Sequence, residues 1–305
     1  MEDDTVPRCH QVDVVLFPPS ARILAVGEGD FQFSSGVARS RRTRLDDRTP
    51  VGALVATAAI SECDVLALYP ATEERLAQLK SDGAKLFFDV DARDLREGAL
   101  AAEEPFDRIV FNFPLLPSGA HPRQVSGAEV IIANRSLLVD FLRAAPSLLK
   151  PDGVITIASK NCYPYTWWRL EALPQWAGGA LALSAELCWH RTDYPLIYDG
   201  PCNVNRDASV RPTDATIFVY ARPTETTMEG VDTKRPGLQC DLCRVSGLTC
   251  SSDLTSHRCG KIHLKRVALE LQWEAALASQ LAVAPAARGT QLTGTRDLPP
   301  EDIVE

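Results

Sequence analysis

From its first apolar segment to about residue 222 the chain alternates short hydrophobic runs with longer stretches of helical periodicity, the pattern of βα units feeding a mostly parallel sheet. The runs predict strands at Arg22 to Val26, Gly52 to Ala56, Ala84 to Phe88, Arg108 to Phe111, Gly153 to Ala158, Leu183 to His190 and Ala215 to Tyr220. Between them, apolar residues recurring every three or four positions predict helices, most clearly over Ser61 to Leu79 and Ser136 to Leu149. The second is expected to stop at Lys150-Pro151-Asp152-Gly153, where a proline and a glycine turn the chain into the next strand. Residues 223–237 lose all periodicity and are rich in Thr, Pro and Gly, which reads as a linker. The pattern thus divides the chain into an α/β domain over 1–222, the linker, a small module over 238–268, and a remainder over 269–305. In that remainder a helix is expected to continue through Leu271, Trp273 and Leu277 before an acidic tail, read as disordered, from about residue 284.

Composition narrows the class. The 305 residues are 45% hydrophobic and 24% charged, which excludes collagen, coiled-coil and low-complexity readings. No stretch reaches the roughly 20 uncharged apolar residues of a spanning helix. The start, Met1-Glu2-Asp3-Asp4, is acidic where a signal peptide or organelle presequence is basic, so an intracellular, reducing compartment is expected. Thirty-two Lys and Arg against 40 Asp and Glu give a net charge of -8, so contact with a polyanion has to be local. One such place is Lys234 to Arg266, where seven basic residues face two acidic ones. A smaller cluster holds Arg39, Arg41, Arg42, Arg44 and Arg48 against Asp46 and Asp47.

Two segments carry candidate chemistry. Ile23-Leu24-Ala25-Val26 runs into Gly27-Glu28-Gly29-Asp30, with Phe31-Gln32-Phe33-Ser34-Ser35 opening a helix. Glycines at a strand end let the backbone approach a ligand, and the following helix start offers free N–H donors. The third glycine of the dinucleotide fingerprint is missing, and alone the segment reads equally as a tight structural turn. The second segment, Phe106-Asp107-Arg108-Ile109-Val110-Phe111-Asn112-Phe113-Pro114, delivers an Asn, an aromatic and a proline to the same sheet edge. Its bland reading is an Asx turn at a strand end.

Read together and in order, Val26-Gly27-Glu28-Gly29-Asp30-Phe31-Gln32-Phe33-Ser34, Val55-Ala56-Thr57, Tyr69-Pro70, Asp89-Val90-Asp91-Ala92 and Phe106-Asp107-Arg108 through Asn112-Phe113-Pro114 resemble the Rossmann-like domain of the eukaryotic rRNA uridine-N3 methyltransferases. Asn134-Arg135-Ser136-Leu137-Leu138, the Lys160, Pro164, Tyr165, Trp168 spacing and Asp193-Tyr194-Pro195 extend the resemblance over roughly Arg22 to Tyr220. It implies S-adenosylmethionine as methyl donor and ring nitrogen 3 of a uridine in large-subunit rRNA as acceptor, in the nucleolus or cytoplasm. Donor binding then falls to Gly27, Glu28, Gly29, Asp30, Phe31, Asp91 and Asn112, with Asp91 near the adenine. Catalysis falls to Asn112, Pro114 and Lys160. The Asn amide would hydrogen-bond the ring edge, and Lys160, leaving the apolar strand Val154 to Ala158, would stabilise charge on the ring carbonyls as the imide proton leaves. Tyr165 and Trp168 are candidates for walls of the base pocket, with core residues as the alternative. Two departures stand out: Ile60, with Glu62 nearby, replaces the family's acidic residue after the second strand, and Leu115-Leu116-Pro117-Ser118-Gly119 replaces its His and glycine. A non-catalytic RNA-binding adaptor is therefore the alternative, and a nicotinamide-dependent reductase a third, disfavoured by the incomplete glycine pattern.

Of nine cysteines, four crowd into twenty residues. Cys240, Cys243, His257 and His263 have the spacing of a two-Cys, two-His structural zinc site, with Leu254 one turn before His257 to fill a miniature core. Cys250 and Cys259 are spare thiols. So small a module buries too little surface to fold unaided, and the metal supplies the difference. The His257-Arg258-Cys259-Gly260-Lys261-Ile262-His263 ending resembles the matrin-type zinc finger, which implies RNA, structured or double-stranded, as its partner; a protein partner is the alternative.

Overall fold

The computed structural model describes residues 16–44, 51–95, 98–116, 127–191, 194, 198–203, 206–210, 213–223 and 238–282. The expected linker beyond Pro223, the tail from 284, Asp193, Pro195, Arg48 and Pro117 to Gly119 lie outside them. The chain forms two compact units, Met1–Pro236 and Gly237–Glu305.

In the first unit all seven expected strands appear: β1 (Ile23–Ala25), β2 (Leu54–Thr57), β3 (Lys85–Phe87), β4 (Phe106–Asn112), β5 (Leu149–Lys160), β6 (Ala182–Trp189) and β7 (Ala215–Ala221). They form one sheet in the order β3-β2-β1-β4-β5-β7-β6. The first five are parallel and β7 inserts antiparallel between β5 and β6, the Rossmann-like α/β fold that the resemblance implies. The order reverses at β1 and β4, and ligands of such sheets bind outside the carboxyl ends of the strands at that switch. β1 and β2 are buried along their whole length, as strands covered on both faces must be.

Helix α1 (Gln32–Arg44) puts Phe33 and Val37 into the core on one side. The segment expected as one helix over Ser61 to Leu79 is instead α2 (Glu62–Leu68), a 3-10 turn at Pro70–Thr72 and α3 (Glu73–Ser81), because Pro70 has no N–H to continue the ladder. Likewise α4 runs Ala128–Ala144, earlier than expected. It stops ahead of Pro146 rather than Pro151, which lies exposed within β5. α4 packs on the other face, its Phe141 ring 5.0 Å from Phe111. A short α5 (Leu173–Ala177) follows β5. In the arginine cluster, Arg41 is no surface charge: it is buried, donating to the carbonyls of Gly52 at 2.7 Å and Ala21 at 2.6 Å.

The second unit contains a hairpin of β8 (Leu238–Cys240) and β9 (Val245–Leu248), then α6 (Ser251–Arg258) and α7 (Lys261–Ala282). α7 carries on past Leu271, Trp273 and Leu277 as the periodicity predicts. No helix among the described residues is long and apolar enough to cross a membrane.

Candidate functional site

Three non-glycine residues of the first unit adopt left-handed backbone just beyond the carboxyl ends of parallel strands: Phe31 (φ 58) after β1, Asp89 (φ 55) after β3 and Phe113 (φ 51) after β4. Such conformations are costly for residues with a Cβ and gather where a site is held in one shape. The register places Ala25 beside Val110, so the turn after β1 and Asn112 at the end of β4 leave the sheet side by side.

Gly27 has φ 67, and a Cβ on it would stand 2.6 Å from the Phe111 ring. It is exposed, and it is held from below: its N–H donates to the Thr57 hydroxyl at 3.3 Å and the Glu28 N–H to the Thr57 carbonyl at 2.8 Å. The Glu28 carboxylate accepts from the Ser34 hydroxyl at 2.9 Å. Burial pushes its pKa up to about 8, with the Asp30 carboxylate adding to the rise and the Ser34 bond opposing it. Asp30 is buried and also raised; Gln32 hydrogen-bonds it and Arg75 lies 3.6 Å away. The buried Phe31 ring packs 5.8 Å from Phe88, bracing the loops after β1 and β3 together. The bare face of Gly29 is taken by the protein itself, since a Cβ there would meet the Cys202 sulfur at 2.6 Å. Tyr69 donates to the Asn203 carbonyl at 3.1 Å and the Asp199 N–H to the Gln32 amide oxygen at 3.3 Å. The connection between β6 and β7 therefore lies along the glycine turn, and burial there pushes the Cys202 thiol up to about 12.

Asn112, the last residue of β4, is the focus of the edge. Among the described residues neither atom of its side-chain amide has a hydrogen-bond partner, and both are buried. Pro114 is buried two residues on. The loop is tied to α4 by Asn134, which accepts from the Leu116 N–H at 2.9 Å and donates to Val130. Its neighbour Arg135 clamps the Trp167 carbonyl after β5 at 2.6 and 3.0 Å. The Asn134-Arg135 pair singled out in the sequence thus fixes the loops after β4 and β5 to one helix. Lys160 ends β5, its amine 5.5 Å from the centre of the Tyr165 ring, and burial lowers its pKa. Trp168 is fully buried against Tyr165 and belongs to the core. Asp91, after β3, is held by Arg93 at 2.6 to 3.0 Å; burial raises its carboxyl but this pairing more than offsets it, leaving the pKa low. Ile60 is half-buried, and Glu62 pairs with Lys80 at 2.6 Å, so the carboxylate nearest the end of β2 is already engaged.

Two residues of this edge, Trp189 and Tyr198, were not singled out in the sequence. Trp189 packs 5.5 Å from Phe113 and from Tyr194 and 6.4 Å from Tyr198, closing an aromatic cluster above the alanines Ala158 and Ala215. The alternation of β6, with Leu183, Ala185 and Leu187 turned inward, carries the signal for Trp189.

In the second unit the ligand atoms of Cys240, Cys243, His257 and His263 all lie within 4.8 Å of one another. Each sulfur is 3.5 Å from His263 Nδ1, and among the described residues the buried Nε2 of His257 has no partner. A tetrahedral zinc bound at about 2.3 Å to sulfur and 2.0 Å to nitrogen spaces its ligands roughly 3.3 to 3.8 Å apart, so the donor set fits that ion and the two 3.5 Å sulfur–nitrogen separations fall in that range. The turn that presents Cys243 uses left-handed Arg244. Cys250 and Cys259 are exposed and outside the cluster, and Leu254 is half-buried.

Fold and edge together define a Rossmann-like protein with a glycine turn at the switch between β1 and β4. Residues 24–198 match the family model described as BMT5-like, rRNA (uridine-N3-)-methyltransferase, and the chain belongs to that family. It is 31% identical over 187 residues to the heavy metal-associated isoprenylated plant protein 41 of Arabidopsis thaliana, a match covering 61% of this chain and 34% of that protein. It is also 31% identical over 140 residues to the mouse homolog of ferredoxin-fold anticodon-binding domain-containing protein 1, covering 45% of this chain and 19% of that protein. The chain thus spans only about a third and a fifth of these two relatives. Among solved structures, TrmN from Thermus thermophilus aligns with a TM-score of 0.41 at 19% identity over 70% of this chain and 48% of that one.

Proposed function

We propose that the chain is an S-adenosylmethionine-dependent RNA methyltransferase that modifies ring nitrogen 3 of a uridine in large-subunit rRNA. The observation that carries the reading is the Asn112 amide, a buried donor and acceptor without a partner beside the exposed, left-handed Gly27. Leaving such groups unpaired costs about 1–3 kcal/mol each, a cost a flat polar ring would relieve by bonding both. Family membership supplies the reaction class.

In this reading Gly27 keeps the turn bare for the donor, while Gly29 makes room for the Cys202 sulfur. Glu28, Asp30 and Asp91 are the donor-side groups, the buried Phe31 ring braces them from beneath, and Thr57 fixes the turn against the end of β2. The donor brings a methyl group already activated on a sulfonium, so the protein's task is to place the acceptor in line. Asn112 orients the uracil ring, Pro114 shapes the loop that holds it, and Lys160 opposes the charge left on the ring carbonyls when the N3 proton departs to water. Low Lys160 solvation makes its charge count for more there. The module over 238–268, joined by the 223–237 linker to the 1–222 domain and followed by 269–305, binds zinc through Cys240, Cys243, His257 and His263. Its basic residues meet the RNA phosphates and raise the local RNA concentration at the catalytic edge. The site of action is the nucleolus or cytoplasm.

The test is mass spectrometry of rRNA nucleosides from cells lacking the protein, with N3-methyluridine restored by the wild-type chain and not by Asn112→Ala. An unchanged N3-methyluridine level sinks the catalytic reading. One set of contacts favours the second reading, a non-catalytic RNA-binding adaptor: Cys202 fills the space at Gly29, and Tyr194 and Tyr198 cover the sheet edge. Calorimetry with the methyl donor separates the two, because the adaptor gives no heat.

A further inference from the structure

The indole Nε1 of Trp189 is also buried and, among the described residues, has no hydrogen-bond partner. Its place in the sheet relates it to Asn112 and Lys160. Asn112 is in register with Ala158, and Ala158 with Ile217; one step nearer the edge, Lys160 is in register with Ala215 and Ala215 with Trp189. Residues paired across strands project from the same face. Asn112, Lys160 and Trp189 therefore rise from one face around two small residues, Ala158 and Ala215, with the Phe113 ring edge-on to the indole. These three side chains offer donors from Nδ2, Nζ and Nε1 but a single acceptor, Asn112 Oδ1.

We propose that Trp189 reads the target base, its Nε1–H donating to a ring carbonyl, so that this donor-rich edge selects a ring whose nitrogen is flanked by two carbonyls. The inference rests on the methyltransferase reading and gives it a source of specificity. Uracil presents two acceptors to these donors. Cytosine and adenine point an exocyclic amine, itself a donor, at one of them, and two facing donors leave both unsatisfied. As the N3–H bond breaks and its electron pair spreads onto the two oxygens, each donor's hold strengthens, which favours transfer over mere binding. Tyr194 and Tyr198 pack against the same indole, their ring centres 5.5 and 6.4 Å from it.

Trp189→Phe keeps an aromatic ring and removes the N–H together with the five-membered half of the indole, so its urea midpoint is measured beside its turnover to separate lost packing from the lost donor. With large-subunit rRNA from cells lacking the protein, kcat/KM is expected to fall roughly 10- to 100-fold, while the methyl donor's Kd, read by calorimetry, stays unchanged. In NMR spectra of the full wild-type chain, the indole N–H resonance missing from Trp189→Phe should shift on adding a uridine-containing oligonucleotide and stay put with its cytidine counterpart. Wild-type kcat/KM in Trp189→Phe, or a resonance that ignores uridine, overturns the proposal. If the wild-type chain transfers no methyl group at all, the catalytic reading fails by itself, and the resonance alone decides whether Trp189 reads uracil.

Discussion

In the first unit the candidate chemistry rests on a core that does not need it; in the second the candidate ligands are the centre of the fold. Sheet strands from β1 to β7 bury Ile23, Val55, Ile109, Ile157 and Ile217 beneath the edge where Asn112 waits with its amide unpaired. Gly237–Glu305 has, among its described residues, only Cys240, Leu269 and Trp273 as buried apolar groups. A scaffold with surplus burial can carry polar groups that are satisfied only when a ligand arrives. A module without that surplus is expected to satisfy its polar groups first, because their bonding has to supply what so small a core does not.

The largest expected effect comes from removing that bonding. Structural zinc in small finger peptides contributes about 10–16 kcal/mol. A strong chelator, or Cys240→Ser, should therefore release one zinc per chain, measured by elemental analysis, and abolish the far-ultraviolet helical signal of α6 and α7. Calorimetric binding of the methyl donor should not change. Retention of the helical signal after metal removal would erase the contrast between the units.

Next in size is Asn112→Ala. Loss of a group that orients the reacting ring should lower turnover about 100- to 1,000-fold in single-turnover assays. Stability should hold or rise by about 1–3 kcal/mol in urea, since a buried, unpartnered amide is removed. An ordinary core residue would behave in the opposite way, losing stability and little turnover. Gly27→Ala follows: left-handed backbone costs about 1–2 kcal/mol once a Cβ is present, and that atom would strike Phe111. The urea midpoint should drop accordingly, and donor affinity with it.

The contrast also explains what the sequence makes legible. Burial on both faces writes β1 and β2 as uninterrupted apolar runs and one-sided burial writes β6 as an alternation, and all seven strands were readable to within a few residues. Metal ligands have fixed spacing, so the four zinc candidates could be named and the structure brings them together. Helix ends were less legible, since Pro70 and Pro146 compete with apolar periodicity that runs through them. Least visible were contacts between distant segments. Nothing near Cys202 says that it fills the space at Gly29, and nothing near Arg41 says that it bonds the carbonyls at the start of β1 and before β2. Trp189 lay between these extremes, its inward position written in the alternation of β6 but its neighbours Phe113 and Tyr198 supplied only by the fold.

The smallest expected effect belongs to Glu28 and is a matter of pH. Its carboxyl ionises near 4.5 in the unfolded chain and near 8 in the folded one, chiefly because the glycine turn takes it out of water beside Asp30. Between those values the folded state holds a proton that the unfolded state has given up, so the favourable contribution is complete below about 4.5 and is lost as the pH climbs to about 8. Glu28→Gln mimics the protonated form at every pH and keeps an acceptor for Ser34. Its melting temperature should therefore decline less than that of the wild type between pH 5 and pH 8, the two curves converging at the acidic end. Asp30, shifted the same way by burial, leaves a residual slope in the variant. Parallel curves would mean that water reaches the Glu28 carboxyl freely, and the glycine turn would then lack the dry, pre-formed character that sets the first unit apart from the second.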